Sequence, residues 1–334
     1  MTLRNVAKTT LPKPLYSYLR TLKHKFNLGV LYLGQARRFA YYSAIGDRGS
    51  AEQLAALLVF LSHRIEKGLS HSDFRPCFGR KTLVQLGEII QEWIRLGYSA
   101  DSFEFRLALS AIKAYRNRHL ACGCALPCEF ASGFSGLDEF IESADEEMSG
   151  VVAVGDEVLE GDQYADVLRR RHSIREYGAD NPDESKLLEA INIAMTAPSV
   201  CNRQSQRVIV VKSAAKVKEI LDAQGGWRGY DYPPVLLIIT SSLTSFVSST
   251  ERNEPYVDGG IFTMALLGAL ELMRLAACPL NAMFEADNER AIRRAACVPE
   301  GEVMVCIVSV GTRPQSVLCP RSARKEATDV VRYA

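Results

Sequence analysis

Apolar residues recur at helical spacing through the first third of the chain. Leu54, Leu57, Leu58, Leu61 and Ile65 form one stripe, Leu83, Leu86, Ile90 and Trp93 a second, and Phe105, Ala108, Leu109 and Ile112 a third. Residues three and four apart share a helix face, so each run predicts a short amphipathic helix that buries one side. Gly68 and Gly97 fall where the first two helices should stop. After Arg118 the stripes give way to cysteines, acids and Gly136, Gly150, Gly155 and Gly161, a pattern that predicts a linker. From Asp183 onward the pattern alternates. Helices are predicted over Asp183 to Met195 and Ala214 to Leu221, and strands over Arg207 to Val211 and Pro234 to Thr240. The nearly uncharged stretch Asp258 to Ala277 predicts one long helix. The run Leu280 to Phe284, a helix from Asn288 to Ala296 and a strand from Val303 to Val310 follow. The whole reads as α+β, with helices alone in the first part. Residues 1–135 are expected to form a helical domain, 136–162 an acidic linker with glycines, and 163–334 a second domain.

Composition narrows the classes. The 334 residues carry a net charge of +1, which predicts no global attraction to nucleic acid. No run of about 18 apolar residues lacks charge, so no membrane span is expected. Nine cysteines, an odd number scattered without a secretory apolar run at the start, point to a reducing cytoplasm. Charge is uneven: Met1 to Gly46 holds eight Lys or Arg and no acid, whereas Asp138 to Asp162 holds ten acids. The basic start reads first as a solvated face or one docked on the acidic segment. A peripheral contact with anionic membrane and a cleaved presequence are the other readings.

Two polar clusters carry candidate chemistry. Arg169-Arg170-Arg171-His172-Ser173-Ile174-Arg175 places four guanidiniums in seven residues. Guanidinium presents planar donors that match phosphate oxygens in pairs, and a phosphate monoester needs more than one cation. Basic residues also end helices, so the cluster alone does not define a site. Ala197-Pro198-Ser199-Val200-Cys201-Asn202-Arg203-Gln204 follows a predicted helix. Its hydroxyl and amide groups suit a flat heteroaromatic ring, and they equally suit an ordinary polar turn. The helix between the clusters spans roughly 20 Å, so it cannot itself bring them together. Neither a P-loop nor a Gly-x-Gly-x-x-Gly turn is present in the sequence.

These clusters, with Asp258-Gly259-Gly260 before an apolar helix and Val308-Ser309-Val310-Gly311-Thr312-Arg313-Pro314 near the end, resemble the nitroreductase family over about residues 165–330. The resemblance implies an α+β FMN-binding fold preceded here by an all-helical domain, and a homodimer with FMN at the subunit interface. It further implies two-electron hydride transfer between NADH or NADPH and a small-molecule acceptor, with no acid–base side chain, because the flavin N5 carries the hydride. By position, Arg171, His172, Ser173 and Arg175 would hold the phosphate, ribityl chain and pyrimidine edge. Ser199, Asn202 and Gln204 would line the ring, the first two from the partner subunit, and Arg321 and Arg324 would complete the phosphate clamp. Phe284 and Glu285 occupy the loop expected near N5, where the family has glycine. Arg228, Tyr230 and Tyr232 are expected to line a small acceptor pocket. Gln204-Ser205-Gln206 replaces the family's Gln-Pro-Trp. That change and Glu285 leave open an alternative, a flavin-binding regulatory or scaffold protein without turnover.

Two further groups resemble metal sites. His63, Glu66 and His71 lie about a helix end, and His119, Cys122, Cys124 and Cys128 lie in a turn. A helix C-terminus with a Gly stop and basic residues explains the first, the second matches no common zinc or iron–sulfur spacing, and no metal is expected.

Overall fold

The computed structural model describes residues 12–45, 49–71, 74–151, 163–317, 319 and 326–334. The chain divides into two compact units, the first built around one apolar core and the second around two, one on each face of its sheet.

The first unit comprises residues 1–151 together with 201–203 and 243–254. Its helices are α1 (Lys13–Tyr42), α2 (Ala51–Leu69), α3 (Arg80–Arg95), α4 (Phe103–Ala121), α5 (Cys128–Gly133) and α6 (Asp138–Ser143). The three predicted stripes lie on α2, α3 and α4 and merge into one core around Leu58, Ile65, Leu86, Ile90, Phe105 and Ile112. Ser50 begins α2 with a reciprocal capping box: its hydroxyl accepts the Gln53 N–H while the Gln53 side chain accepts the Ser50 N–H. Ser102 caps α4 in the simpler way. Gly97 has φ 73° just past α3, as a stop signal should. Gly68 has another purpose. It lies inside the last turn of α2, and a Cβ there would fall within the Phe78 ring. Leu137 and Ile141, from the acidic stretch, are buried in this same core.

The second unit comprises residues 152–200, 204–242 and 255–334. Its elements are α7 (Gln163–Arg170), α8 (Glu184–Ala194), β1 (Gln206–Val211), α9 (Ala214–Gln224), β2 (Val235–Ser242), α10 (Glu254–Leu272), β3 (Leu275–Asn281), α11 (Ala286–Ala296) and β4 (Glu302–Thr312). The strands form one antiparallel sheet in the order β1-β2-β4-β3. All eight residues of β2 are buried, which explains its continuous apolar run. Successive side chains alternate between faces. Val235, Leu237 and Ile239 therefore pack with α8 and α10, while Leu236 and Ile238 pack with α9 and α11. This is an α+β unit with helices on both sheet faces.

The predicted helix Asp258 to Ala277 is corrected. The helix ends at Leu272, Arg274 turns the chain at φ 58°, and Leu275, Ala276 and Ala277 are strand residues paired with Thr312, Gly311 and Val310. Apolar periodicity cannot separate a buried helix from a buried strand within one uncharged run.

Candidate functional site

Residues 171–175 leave α7 in extended form beside the edge strand β3. The Arg171 N–H still bonds to the Val167 carbonyl at 3.0 Å, and the Ile174 N–H bonds to the Ala277 carbonyl of β3 at 3.0 Å. Ile174 is buried there. Burial pushes the neighbouring Cys278 thiol up, while the Arg175 guanidinium, the Ser173 hydroxyl and the Arg171 guanidinium pull it down. The Ile174–Ala277 bond sets Ser173 and Arg175 beside β3, and Arg171 follows the last turn of α7. His172 is exposed to a greater degree, and its Nδ1 lies 2.8 Å from the Arg170 carbonyl.

Beyond Arg175 the chain runs on to β4. The Tyr177 hydroxyl lies 3.1 Å from the Ile174 carbonyl and 2.7 Å from Ser309 Oγ, and Ser309 donates to the Cys278 carbonyl. Burial raises the Tyr177 phenol well above its ordinary range, against the lowering effect of the Ser309 bond. Tyr177 therefore stays a neutral hydrogen-bonding group. Its ring stacks on Trp227, centroids 6.4 Å apart and 10° from parallel, and Trp227 contacts Tyr230.

A cavity of about 520 Å³ opens beside this stack, lined by Arg175, Tyr177, Gly178, Tyr230, Tyr232 and Pro234 among others. That volume lies in the usual range for small-molecule sites. Two of the three expected pocket residues, Tyr230 and Tyr232, line it. Arg228 is exposed and does not. The Tyr232 hydroxyl is committed to Asp222 at 2.6 Å, with Lys218 alongside. Tyr177 lines the cavity and was not among the expected pocket residues, and Trp227 backs its ring without lining the cavity. Tyr177 had a usable signal, because residues two apart share a side in extended chain and it follows Arg175 by two.

The second cluster takes a strained path. Cys201, Asn202 and Gln204 all have positive φ, at 48°, 52° and 48°. Residues with side chains rarely adopt this region, and such strain concentrates at sites of function. The loop is held by Asp258, whose two carboxylate oxygens each accept the Val200 N–H at 3.1 Å, and by Ser199, whose hydroxyl accepts the Gln204 N–H at 3.0 Å. Ser205 Oγ then meets Ser241 Oγ at 2.8 Å. Ser199 and Gln204 are brought together, but they precede β1, whereas Arg171 to Arg175 flank β3. These are opposite edges of the sheet, about three strand spacings or roughly 14 Å apart.

Arg203, in the middle of that loop, belongs to the first unit. Its side chain is fully buried, bonds through two nitrogens to Glu251 at 2.7 and 3.1 Å, and lies over the Phe246 and Phe60 rings.

Phe284 and Glu285 sit at the start of α11. Phe284 packs partly into the α9–α11 core, and Glu285 is the exposed N-terminal cap residue, without a side-chain capping bond. Arg321 and Arg324 lie outside the described residues.

His119, one of the candidate metal ligands, is fully engaged. Its Nε2 accepts the Cys77 N–H at 2.9 Å, so Nδ1 carries the proton and donates to the Tyr115 carbonyl at 2.9 Å. His63 Nδ1 pairs with Glu66 at 3.3 Å, and Glu66 also accepts from Ser149 at 2.8 Å. Among the described residues no three His, Cys, Asp or Glu side chains converge as a metal site.

The second unit is thus an α+β fold with a cationic edge beside an aromatic-lined cavity. The profile of the nitroreductase family matches residues 168–227, which span the arginine cluster, the strained loop, β1 and α9. The resemblance drawn from the motifs therefore holds over residues 168–227. A curated NADH dehydrogenase of Thermus thermophilus is 34% identical over 74 residues, which are 22% of this chain and 36% of that relative. Among solved structures, an FMN-dependent nitroreductase from Clostridium difficile is 19% identical, covering 50% of this chain and 96% of that one, with a TM-score of 0.42. A nitroreductase with bound FMN from Desulfitobacterium hafniense is 20% identical, covering 52% and 98%, with a TM-score of 0.40.

Proposed function

We propose that this protein is an FMN-dependent oxidoreductase that passes two electrons, as hydride, from NADH or NADPH to a small-molecule acceptor. The observation that carries the reading is the arginine-rich segment 171–175, bonded to β3 through Ile174 and lying inside the stretch matched by the nitroreductase profile.

The residues present fit FMN. Two guanidiniums supply the charge a phosphate monoester requires, and a third polar group lies with them. Arg171 and Arg175, with His172 and Ser173, would hold the phosphate, ribityl chain and pyrimidine edge. FMN, when bound, supplies hydride acceptance and donation at N5. The guanidinium charges favour the electron-rich state of whatever they hold. The neutral Tyr177 phenol fixes the extended segment against β4, and Tyr230 and Tyr232 offer aromatic edges to an acceptor in the adjoining cavity.

The reading includes a homodimer. Ser199 and Gln204 stand at the opposite sheet edge from Arg171 and Arg175, so a second copy is what would bring both sets to one flavin. Helix α10 supports this. Val257, Ile261 and Met264 are exposed at spacings of four and three, an apolar stripe on one face. Symmetric dimers are the commonest closed assembly. Sedimentation of the FMN-loaded protein at about micromolar concentration should show a dimer, with Ile261→Asp/Met264→Asp shifting it to monomer and releasing flavin. A flavin-loaded wild-type monomer contradicts the composite site.

Turnover is tested by FMN-dependent oxidation of NADH and NADPH with and without quinone or nitroarene acceptors. The reading expects oxidation that requires FMN and accelerates with acceptor. Tight FMN binding with no turnover would select the regulatory or scaffold reading instead.

A further inference from the structure

Helix α1 carries a feature that flavin chemistry does not use. Leu15, Tyr18, Leu19, Leu22, Phe26, Val30 and Leu33 are all exposed large apolar residues. At about 100° per residue they fall within one sector of roughly 120°. Phe26 is 71% exposed. The same helix contains six Lys or Arg, at positions 13, 20, 23, 25, 37 and 38, and no Asp or Glu. Lys23 and Lys25 project on either side of the apolar sector, Lys13, Arg20 and Arg38 lie farther round one flank, Arg37 falls in line with the sector one turn beyond Leu33, and the exposed Leu31 and Tyr32 lie outside it.

Among the described residues, α1 is anchored within its own unit toward its C-terminal end. Phe39 is buried with its ring 6.2 Å from Phe246, and the Gln53 amide donates to the Tyr42 and Ser43 carbonyls at 3.2 and 3.1 Å. The stripe from Leu15 to Leu33 ends before this anchor. Two acids of the acidic stretch are paired elsewhere in the unit: Glu142 with Arg116 and Glu146 with Lys113.

We infer that α1 docks on an anionic lipid bilayer, lying along its surface with the Leu15–Leu33 stripe among the acyl chains and its lysines and arginines at the headgroups. Charge decides the occupant. A second copy of α1 would bring six more cations and no anion against the first, whereas paired helices are stabilised by opposite charges beside the seam. Nucleic acid would satisfy the cations and leave seven apolar side chains in water. An anionic membrane satisfies both, which is the signature of an interfacial helix. No helix among the described residues is long and apolar enough to cross a membrane, so α1 lies on it. This inference is independent of the flavin reading.

The test is flotation of the full-length protein with phosphatidylcholine vesicles containing about a third phosphatidylserine, compared with phosphatidylcholine alone, at about 0.1 M salt and at several-fold higher salt. Binding to the anionic vesicles should exceed binding to neutral ones by roughly tenfold or more and weaken at high salt. Arg20→Glu/Lys23→Glu/Lys25→Glu should lose about tenfold or more of that binding, and Leu22→Asp/Phe26→Asp should lose it at every salt concentration. These positions are solvent-exposed, so the melting temperature of each variant should match wild type and exclude misfolding as the cause. Equal binding to both vesicle types that survives the triple charge reversal overturns the inference. So does the absence of vesicle binding, whether accompanied by self-association that Leu22→Asp/Phe26→Asp abolishes or by binding to duplex DNA.

Discussion

Arg203→Ala should unfold at markedly lower urea concentration than wild type, with a loss of about 3–5 kcal/mol at neutral pH. The magnitude follows from what is left behind. Arg203 is fully buried and supplies two hydrogen bonds to Glu251. Without it, the carboxylate keeps the Val247 and Ser248 N–H groups but no counter-charge. Burial pushes the Glu251 carboxyl up, yet the Arg203 bonds and those backbone N–H groups together hold it below its ordinary value of 4.5. A carboxyl depressed in the folded state adds stability above the unfolded value, and that stability disappears as pH falls through the folded one. The deficit of Arg203→Ala should therefore be greatest at neutral pH and shrink in acid. Arg203→Lys should recover only part, because ammonium cannot match the two-point contact. A variant within about 1 kcal/mol of wild type at pH 7 would show the pair to be dispensable.

Replacing both Arg171 and Arg175 by alanine should nearly abolish FMN binding. Each charge-assisted contact to phosphate is worth about 1.5–3 kcal/mol, or roughly 10- to 100-fold in affinity. If the two act independently, the double variant should bind on the order of a hundred- to ten-thousand-fold more weakly. Both side chains lie at the β3 edge outside the two apolar cores, so the fold should persist. Flavin fluorescence titration measures the affinity and circular dichroism the fold. Unchanged affinity in the folded double variant would remove the arginine cluster from the cofactor site.

Much of the architecture was legible from apolar spacing alone. The α2, α3 and α4 stripes and the β2 and β4 runs are strong periodic or continuous signals. The α10–β3 junction was not, because a buried helix and a buried strand share one uncharged composition and only the turn at Arg274 separates them. Gly68 looked like a helix stop, whereas its role is set by Phe78, ten residues along and visible only after folding. The polar clusters were found by residue type, but type does not reveal who the partner is. Arg203 sat among candidate flavin residues in sequence and is instead committed to Glu251, 48 positions away. His119 likewise has the chemistry of a ligand, and its ring is spent on Cys77 and Tyr115. The arginines at 171 and 175 could be read because they crowd one short segment. The bond that sets their segment against β3, Ile174 to Ala277, was not visible before the chain folded.

The most direct measurement is the absorption spectrum of full-length protein loaded with FMN, desalted, and titrated with NADH or NADPH without oxygen. Flavin should remain bound in equimolar amount, its visible bands should differ from those of free FMN, and a nicotinamide should bleach them. Colourless protein after desalting, or bound flavin that neither nicotinamide reduces, would contradict the assignment as an FMN-dependent oxidoreductase.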